Sequence, residues 1–548
     1  MSQVSFRLSG KIVDVVNRKI FSGHIEIHQG KVKQLIADEN VPAQFILPGL
    51  IDAHIHIESS MLIPSEFARM AVIHGTVASI SDPHEIANVL GMEGVKFMIE
   101  NGKKVLFKFF FGAPSCVPAT GFETSGTFLG ADAVEEMLDW QEVLYLSEMM
   151  NFPGVLFGDP EVKAKLEAAR KRNKVIDGHA PGLRGEDARK YAEAGISTDH
   201  ECFTLEEGRE KAGLGMKILI REGSAARNFD TLIPLLNECP DKVMFCSDDK
   251  HPDELIQNHI NCLVAKAISA GYDILDVVSA CTINPVKHYG LTAGLLQPGD
   301  DADMIVVDSP ASMKVLGTYI KGQKVAENGI SLIPAVPEQA INRFQANAVG
   351  PADIQVPAEG SHMNVIEALD GQIITRRMLA EASIREGKVQ SDTSRDILKM
   401  VVLNRYNPTP PAIGFVHGFS LECGAIASTV AHDSHNIIAL GVSDEAICTA
   451  INILIENKGG IAATDGHEHL VLPLPVAGLM SLENGYEVAR KYKRLDEMAK
   501  KMGSRLSAPF MTLSFLALLV IPELRLSDKG LFDGSKFEFV SLFEPTSK

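Results

Sequence analysis

The first residues with evident chemistry are two histidines, His54 and His56, at the end of a short apolar run that predicts a β-strand. Side chains two positions apart on a strand point to the same side, so both imidazoles can bind one cation. The pair alone is weak support for a metal site, because roughly half an occurrence of this spacing is expected by chance in a chain with 17 histidines. A metal site therefore requires further ligand residues that converge on this pair.

Histidines and carboxylates also follow other predicted strands. They are Asp82, His84 and Glu85 after the second strand, Glu148 after the fourth, His179 after the fifth, His200 and Glu201 after the sixth, and Asp248 and Asp249 after the eighth. Such side chains converge when they lie at the carboxyl ends of barrel strands. Four imidazoles and two carboxylates exceed the three ligands of a single catalytic zinc, and Glu148 could bridge two ions about 3.5–4 Å apart.

A binuclear centre of this kind indicates hydrolytic chemistry. Two divalent ions lower the pKa of a bound water toward neutrality, and Asp248 could take a proton from it and deliver that proton to a leaving group. Asp249 is the alternative, because neighbouring strand residues alternate sides and a shift of one residue would exchange them.

The elements that must hold these side chains are eight predicted strand and helix units in residues 48–297. The strands are GLIDAHIH, TVASISD, VLFKFFFG, VLYLSE, KVIDGHA, ISTDHE, KILIRE and VMFCSDD, separated by helix-length segments such as 64–74, 161–172 and 252–270. Alternating strands and helices predict a parallel sheet, and eight units in about 250 residues predict an α/β fold, a (β/α)8 TIM-like barrel.

Two further regions flank the predicted barrel. Short β-type runs with Gly and Asn turns occupy residues 1–47 and return in residues 298–335, so we expect these pieces to form one split β-sandwich domain. Residues 345–548 have the size of a third domain, α/β or α+β, with a helix predicted over 481–502.

Composition excludes several classes of function. The net charge of −18, with no basic stripe to offset it, argues against a nucleic-acid partner. Eight cysteines without a C-x-x-C pair are typical of a reducing compartment and predict a cytoplasmic protein. The N-terminus lacks the apolar region of a signal peptide, and the best apolar run, residues 510–521, is too short to span a membrane.

Longer motifs around the ligand residues resemble a known family. PGLIDAHIH, together with GDDADMIVVD in the second β piece, resembles the amidohydrolase superfamily. Within it, the adenine deaminase family is similar in HIESSM, SDPHEIANV, SCVPA, SEMMNFPGV, DGHAPG, HECFTLEEGR, REGSAARN and CSDD. The resemblance extends into the C-terminal region through HGF and AHDSHN, so it spans the chain.

The resemblance implies a reaction and a ligand set. The metal ligands it implies are His54, His56, Glu148, His179, His200 and Asp248, with Glu148 in the place where many superfamily members use a carboxylated lysine. It implies two divalent metal ions, Mn²⁺ first, with Fe²⁺ or Zn²⁺ as competing occupants. The implied reaction is hydrolysis of adenine to hypoxanthine and ammonia in purine salvage, by attack of a hydroxide that bridges the two ions.

The same resemblance leads us to assign roles beyond the ligands. We assign catalysis to Asp248, Glu148, Glu85 and His84, and substrate binding to Asp82, Glu201, Arg221 and Ser224. The acid that protonates N1 of adenine stays open among Glu85, Glu201 and His84. Asp82 could instead orient His84, and Arg221 could instead form a structural ion pair.

Several alternatives remain at this stage. The chain could catalyse another amidohydrolase reaction, on a different 6-substituted purine or a cyclic amide, or it could be a catalytically silent scaffold. His432 and His435 in AHDSHN could form an additional metal site or belong to a loop that closes over the barrel mouth. A homodimer is the expected assembly.

Overall fold

A computed structural model describes residues 5–224 and 226–544. The chain begins with four strands in which apolar and polar residues alternate, as in β2, where Ile25 and Ile27 are buried and their neighbours are less so. These strands are β1 Ser5–Asp14, β2 Lys19–His28, β3 Lys31–Ala37 and β4 Phe45–Pro48. After β4 the chain enters the first strand of a parallel barrel.

Within the described part of the chain, the barrel has the eight strands that the sequence predicts. They are β5 Leu50–Ile55, β6 Thr76–Ser81, β7 Lys108–Ala113, β8 Val143–Met149, β9 Ile176–Gly178, β10 Thr198–Asp199, β11 Lys217–Arg221 and β12 Val243–Cys246. Hydrogen bonds join β5 through β9 and β10 through β12 in parallel. The Ser197 amide donates to the Ile176 carbonyl (2.9 Å) beside β9 and β10, and the Asp248 amide donates to the His54 carbonyl (3.0 Å), which closes the ring.

Helices connect the barrel strands and cover their outer faces. They are α1 Pro64–Ala71, α2 His84–Leu90, α3 Met92–Gly102, α4 Ala131–Leu138, α5 Phe152–Phe157, α6 Pro160–Lys171, α7 Gly185–Glu193, α8 Leu205–Gly213, α9 Phe229–Leu232, α10 Leu235–Glu238, α11 Pro252–Leu255, α12 Ile260–Ser269, α13 Ile274–Ala280 and α14 Ile283–Tyr289. Because helices cover the outside of the barrel, its strands are buried on both faces, as in β6 with the sequence TVASIS.

The helical segment predicted over 252–270 is divided in the structure into α11 and α12, with a break before residue 260. His259 at the break turns its ring into the barrel wall. Its Nε2 lies 2.8 Å from Asp52 Oδ2, and its Nδ1 lies 2.7 Å from Thr76 Oγ1. These buried hydrogen bonds outweigh the continuation of a regular helix.

The two β pieces meet in one sheet. The later strands are β13 Met304–Val307, β14 Val315–Ile320, β15 Gln323–Glu327 and β16 Ile330–Ser331. The strand order is β16, β15, β14, β13, β4, β1, β2, β3, with β4 parallel to β1 and antiparallel to β13. Apolar side chains from both pieces, including Ile12, Ile25, Ile46 and Met304, pack together in one cluster.

The C-terminal region is an α+β unit. Its strands are β17 Val356–Pro357, β18 His362–Ala368, β19 Thr375–Glu381, β20 Ile384–Arg385, β21 Lys388–Val389, β22 Ile397–Leu403, β23 Ala412–His417, β24 Ala425–Ser428, β25 Ile437–Gly441, β26 Gly460–Thr464, β27 His469–Pro473, β28 Leu524–Ser527, β29 Gly530–Asp533 and β30 Glu538–Phe539. Its helices are α15 Asp444–Glu456, α16 Gly485–Lys501 and α17 Pro509–Phe515.

An eight-stranded sheet forms the centre of this unit, in the order β19, β18, β23, β22, β25, β24, β26, β27. Only the β18 and β23 pair within this sheet is parallel, so of the two predicted classes the structure favours α+β. The helix predicted over 481–502 is α16, which begins after Asn484, whose side chain caps it. No helix of the described residues is long and apolar enough to cross a membrane.

We predict that Asp52→Ala destabilises the barrel. Asp52 accepts hydrogen bonds from the Ser247 amide (3.0 Å), the Ser247 hydroxyl (2.5 Å) and His259, so its loss leaves buried donors without a partner. We expect the midpoint of thermal unfolding to fall by about 5 °C or more. The exposed Asp187→Ala change is the control and should shift the midpoint by about 1–2 °C at most; equal shifts would contradict the account.

Candidate metal centre

The carboxyl ends of the barrel strands bring the predicted metal ligands together. His54, His56, Glu148, His179, His200 and Asp248 are all buried there. All of them except His54 line one cavity, and His54 lies directly behind it.

Three of the donors form one compact group. His54 Nε2 lies 3.2 Å from His56 Nε2, and Asp248 Oδ1 lies 3.6 Å and 3.3 Å from these two atoms. Ligands at 2.0–2.1 Å from one tetrahedral ion are about 3.4 Å from each other. The three atoms therefore have the spacing of ligands that share one ion.

Glu148 connects this group to a second one. Its Oε1 lies 3.4 Å from His56 Nε2, whereas its Oε2 lies 2.8 Å from His179 Nδ1 and 3.2 Å from His200 Nε2. The two oxygens of one carboxylate thus face different imidazoles, as a carboxylate between two ions does. Among the described residues, the buried Nε2 of His179 has no hydrogen-bond partner, which fits a histidine with a ligand role.

The closure of the barrel holds the first group in register. The Asp248 amide donates to the His54 carbonyl, and the His56 amide donates to the Asp248 carbonyl (3.3 Å). Asp248 has a φ of 56°, a left-handed conformation that Asp tolerates better than most residues. The hydrogen bonds on both sides of Asp248 fix this conformation, which aims its carboxylate at the histidines.

The electrostatics keep both carboxylates ionised. Burial raises the pKa of Glu148, but His179 and His200 outweigh it and hold that pKa well below its usual value. Burial likewise opposes ionisation of Asp248, yet Arg221 and His54 hold its pKa well below the usual range. Burial lowers the pKa of His54 and so favours the neutral imidazole that binds metal. This donor set fits divalent ions.

Arg221 and Glu201 form an ion pair beside the centre. Arg221 Nη2 donates to Glu201 Oε2 at 2.9 Å, and Nη1 donates to Asp248 Oδ2 at 2.5 Å. Both side chains line the cavity, so a substrate contact is open to them, but the guanidinium already binds two carboxylates. Asp249 also lines the cavity, but its Oδ1 accepts a hydrogen bond from Ser59 (2.5 Å), whereas Asp248 Oδ1 lies against His54 and His56.

The remaining predicted site residues lie at different distances from the cavity. His84 lines it, with Nδ1 3.5 Å from Glu148 Oε1. Asp82 lies behind His84, and its Oδ2 is 3.1 Å from His84 Nδ1, which is the orienting position considered above. Ser224 lies outside the cavity lining, where its hydroxyl donates to Glu254 (3.1 Å) and accepts from the His251 amide.

The C-terminal unit supplies a wall that the analysis of the barrel strands did not include. The cavity lining from this unit consists of Ile373, His432, Asp433, Phe515, Leu518 and Ile521. The His432 ring stacks on Phe515, with centroids 4.6 Å apart and planes at 13°. The AHDSHN motif was the sequence signal for this wall, and the structure places its loop over the barrel mouth.

His432 and His435 both contact Glu85 of the barrel. His432 Nδ1 lies 2.5 Å from Glu85 Oε1, and His435 Nε2 contacts Glu85 Oε2. Burial opposes ionisation of Glu85, but the two histidines hold its pKa well below its usual value. In turn, although burial lowers the pKa of His432, Glu85 raises it to about 9. This buried ion pair joins the C-terminal unit to the barrel at the cavity.

Comparisons with known proteins match this chain over almost its full length. The amidohydrolase family matches residues 45–325, and the adenine deaminase C-terminal domain matches residues 372–538. A protein named adenine deaminase from Salinibacter ruber is 54% identical over 98% of this chain and 99% of its own length. Proteins of the same name are 55% identical in Methanosarcina mazei (97% and 99% covered) and 47% identical in Borreliella burgdorferi (98% and 99% covered).

We predict that Glu148→Gln and His54→Ala each lower the bound divalent metal from two ions per chain to one or none. Each change removes a donor that the geometry assigns to the centre, and loss of a ligand weakens metal binding. The measurement is metal content after gel filtration in metal-free buffer. The exposed His28→Ala change is the control, and two retained ions in Glu148→Gln would refute the bridging position.

Proposed function

Because this chain belongs to the amidohydrolase family and, within it, to the adenine deaminases, we propose that it hydrolyses adenine to hypoxanthine and ammonia. The observation that carries this function is the convergence of four imidazoles and two carboxylates in a cavity that the C-terminal unit closes. No relative described above favours another amidohydrolase reaction or a silent scaffold.

Two Mn²⁺ ions are the proposed cofactor, with Fe²⁺ and Zn²⁺ as the competing occupants. His54, His56 and Asp248 would hold one ion, His179 and His200 the other, and Glu148 would lie between them. Such a pair of ions supplies activation of water at neutral pH and stabilises developing negative charge. Mixed imidazole and carboxylate donors suit each of the three metals.

Asp248 is the proposed proton carrier on the amino side of the substrate. One carboxylate oxygen faces His54 and His56, and the other accepts from Arg221. Arg221 keeps this carboxylate ionised, so it can take a proton from the water that adds to C6 of adenine. The same proton then passes to the departing amino nitrogen, which leaves as ammonia, and the second proton of the water replaces the one that the protein gives to N1.

The proton that N1 of adenine needs is proposed to come from the part of the lining where the C-terminal unit meets the barrel. Glu201 binds Arg221, which does not give up a proton, whereas Glu85 binds an imidazole that can, so Glu85 and His84 remain of the three open candidates. Glu85 shares a short contact with His432, whose raised pKa places a proton on this pair at neutral pH. Glu85 is therefore the proposed contact to N1, with His432 as the group that supplies its proton.

An apolar wall packs against the purine ring in this proposal. Phe515, Leu518, Ile521 and Ile373 line the cavity on the side of the C-terminal unit. Arg525 organises this wall from behind, because its buried guanidinium donates to backbone carbonyls of the wall. The acceptors are Phe515 (3.0 Å), Ile521 (2.9 Å), Pro522 (2.9 Å) and Ile373 (2.6 Å).

The function predicts that the protein with two Mn²⁺ ions converts adenine to hypoxanthine and ammonia, and that Asp248→Asn lowers kcat at least about 100-fold. The neutral amide cannot accept the proton that Asp248 carries. Adenine loss is followed by absorbance, with products identified by chromatography, in protein kept metal-replete. The exposed Asp241→Asn change is the control. A near-native kcat in Asp248→Asn would remove its role, and no turnover by the unmodified protein would remove the function.

For the apolar wall, we predict that Arg525→Leu raises KM for adenine about 10-fold while metal content stays at two ions. The change leaves several buried carbonyls without a donor and loosens the wall that contacts the base. KM, kcat and metal content are measured together, with the exposed Arg376→Leu as the control. A KM equal to that of the unmodified protein would show that Arg525 does not position the wall.

A further inference from the structure

Asp433 is a carboxylate with spare capacity to accept hydrogen bonds inside the cavity. It belongs to the C-terminal loop that also carries His432, it is 2% exposed, and it lines the cavity. Within the described residues, its Oδ2 has no hydrogen-bond partner. Of the other groups that this unit presents to the cavity, His432 already pairs with Glu85, and the rest are apolar.

A buried carboxylate of this kind requires a donor. An ionised Asp only accepts hydrogen bonds, and burial without a donor costs free energy. The next carboxyl, Glu123, is buried, and burial and the negative charge of Asp433 raise the pKa of Glu123 to about 8. Two imidazoles face the other carboxylate oxygen, since His84 Nε2 and His432 Nδ1 each lie 3.9 Å from Asp433 Oδ1, but none of these groups donates to Oδ2. The hydrogen-bond donor to Oδ2 is expected to come from the occupant of the cavity.

The position of Asp433 indicates which part of a bound purine it would contact. His84 lies between it and the metal centre, with Nδ1 3.5 Å from Glu148 Oε1 and Nε2 3.9 Å from Asp433 Oδ1. Asp433 is thus about one imidazole ring farther from Glu148 than His84 is. A purine that lies along this wall with C6 of its six-membered ring at Glu148 and Asp248 would have its five-membered ring near Asp433.

Resting on the proposed function, we infer that Asp433 accepts a hydrogen bond from the N–H of the five-membered ring and so selects free purine bases. Free adenine carries one such N–H, on N9 or N7. Nucleosides and other 9-substituted adenines carry none, so they would leave the Asp433 carboxylate buried without a donor. Sites built to bind a polar group reject analogues that lack it for this reason. Asp433 is then a specificity-determining residue supplied by the C-terminal unit.

The test compares adenine with 9-methyladenine in the two-metal protein and in Asp433→Asn and Asp433→Leu. A hydrogen bond to a charged group contributes about 1.5–3 kcal/mol, so kcat/KM for adenine should fall about 10- to 100-fold in Asp433→Leu and less in Asp433→Asn, mainly through KM. For 9-methyladenine the change should stay within about threefold. The exposed Asp370→Asn in the same unit is the control and should leave both substrates unaffected.

Equal losses for both substrates would overturn the inference, as would a fall in kcat with KM unchanged. Loss of a bound metal ion in Asp433→Asn would also overturn it, because His84, Glu85 and Asp433 would then be ligands. Calorimetric binding of purine and 9-methylpurine separates this inference from the function. Tighter binding of purine that depends on Asp433, in a protein that does not deaminate adenine, would refute the function and keep the inference.

Discussion

The structure depends on keeping two carboxylates and four imidazoles buried and in contact at the ends of parallel strands. Each buried charge needs a partner, since an isolated carboxylate in a protein interior is costly. Glu148 has His179 and His200, and Asp248 has Arg221 together with the pair His54 and His56. These contacts explain why the ligand set, the barrel closure and the ion pairs around it form one connected arrangement.

The C-terminal unit completes this arrangement. Glu85 of the barrel is held by His432 and His435, and the apolar residues around Phe515 close the space above the metal ligands. Arg525 stabilises that wall through backbone carbonyls, so it acts without touching the cavity. The cavity is therefore shared by two parts of the chain that are far apart in sequence, and neither part forms it alone.

Much of this could be predicted from the sequence, because parallel strands place their last residues at one edge. Alternating strand and helix patterns predict the eight strands, and this rule brings His54, His56 and Asp248 together. The loop with Asp433 was considered as a cover of the barrel mouth, but the wall around Phe515 could not be located, since local patterns do not say which surface a distant segment covers. The sequence also did not predict side-chain partners: the Ser224 hydroxyl donates to Glu254, and the ring of His259, just before α12, contacts Asp52. The homodimer and the cytoplasmic location stay predictions.

Metal titration of the metal-free protein tests the central claim most directly. Adenine deamination is measured as Mn²⁺ is added in fractions of an equivalent to protein stripped of metal. The account predicts that activity rises until two equivalents per chain are bound and then stays constant, because Glu148 lies between two donor groups. Full activity at one equivalent would contradict it, and would reduce the centre to a single ion.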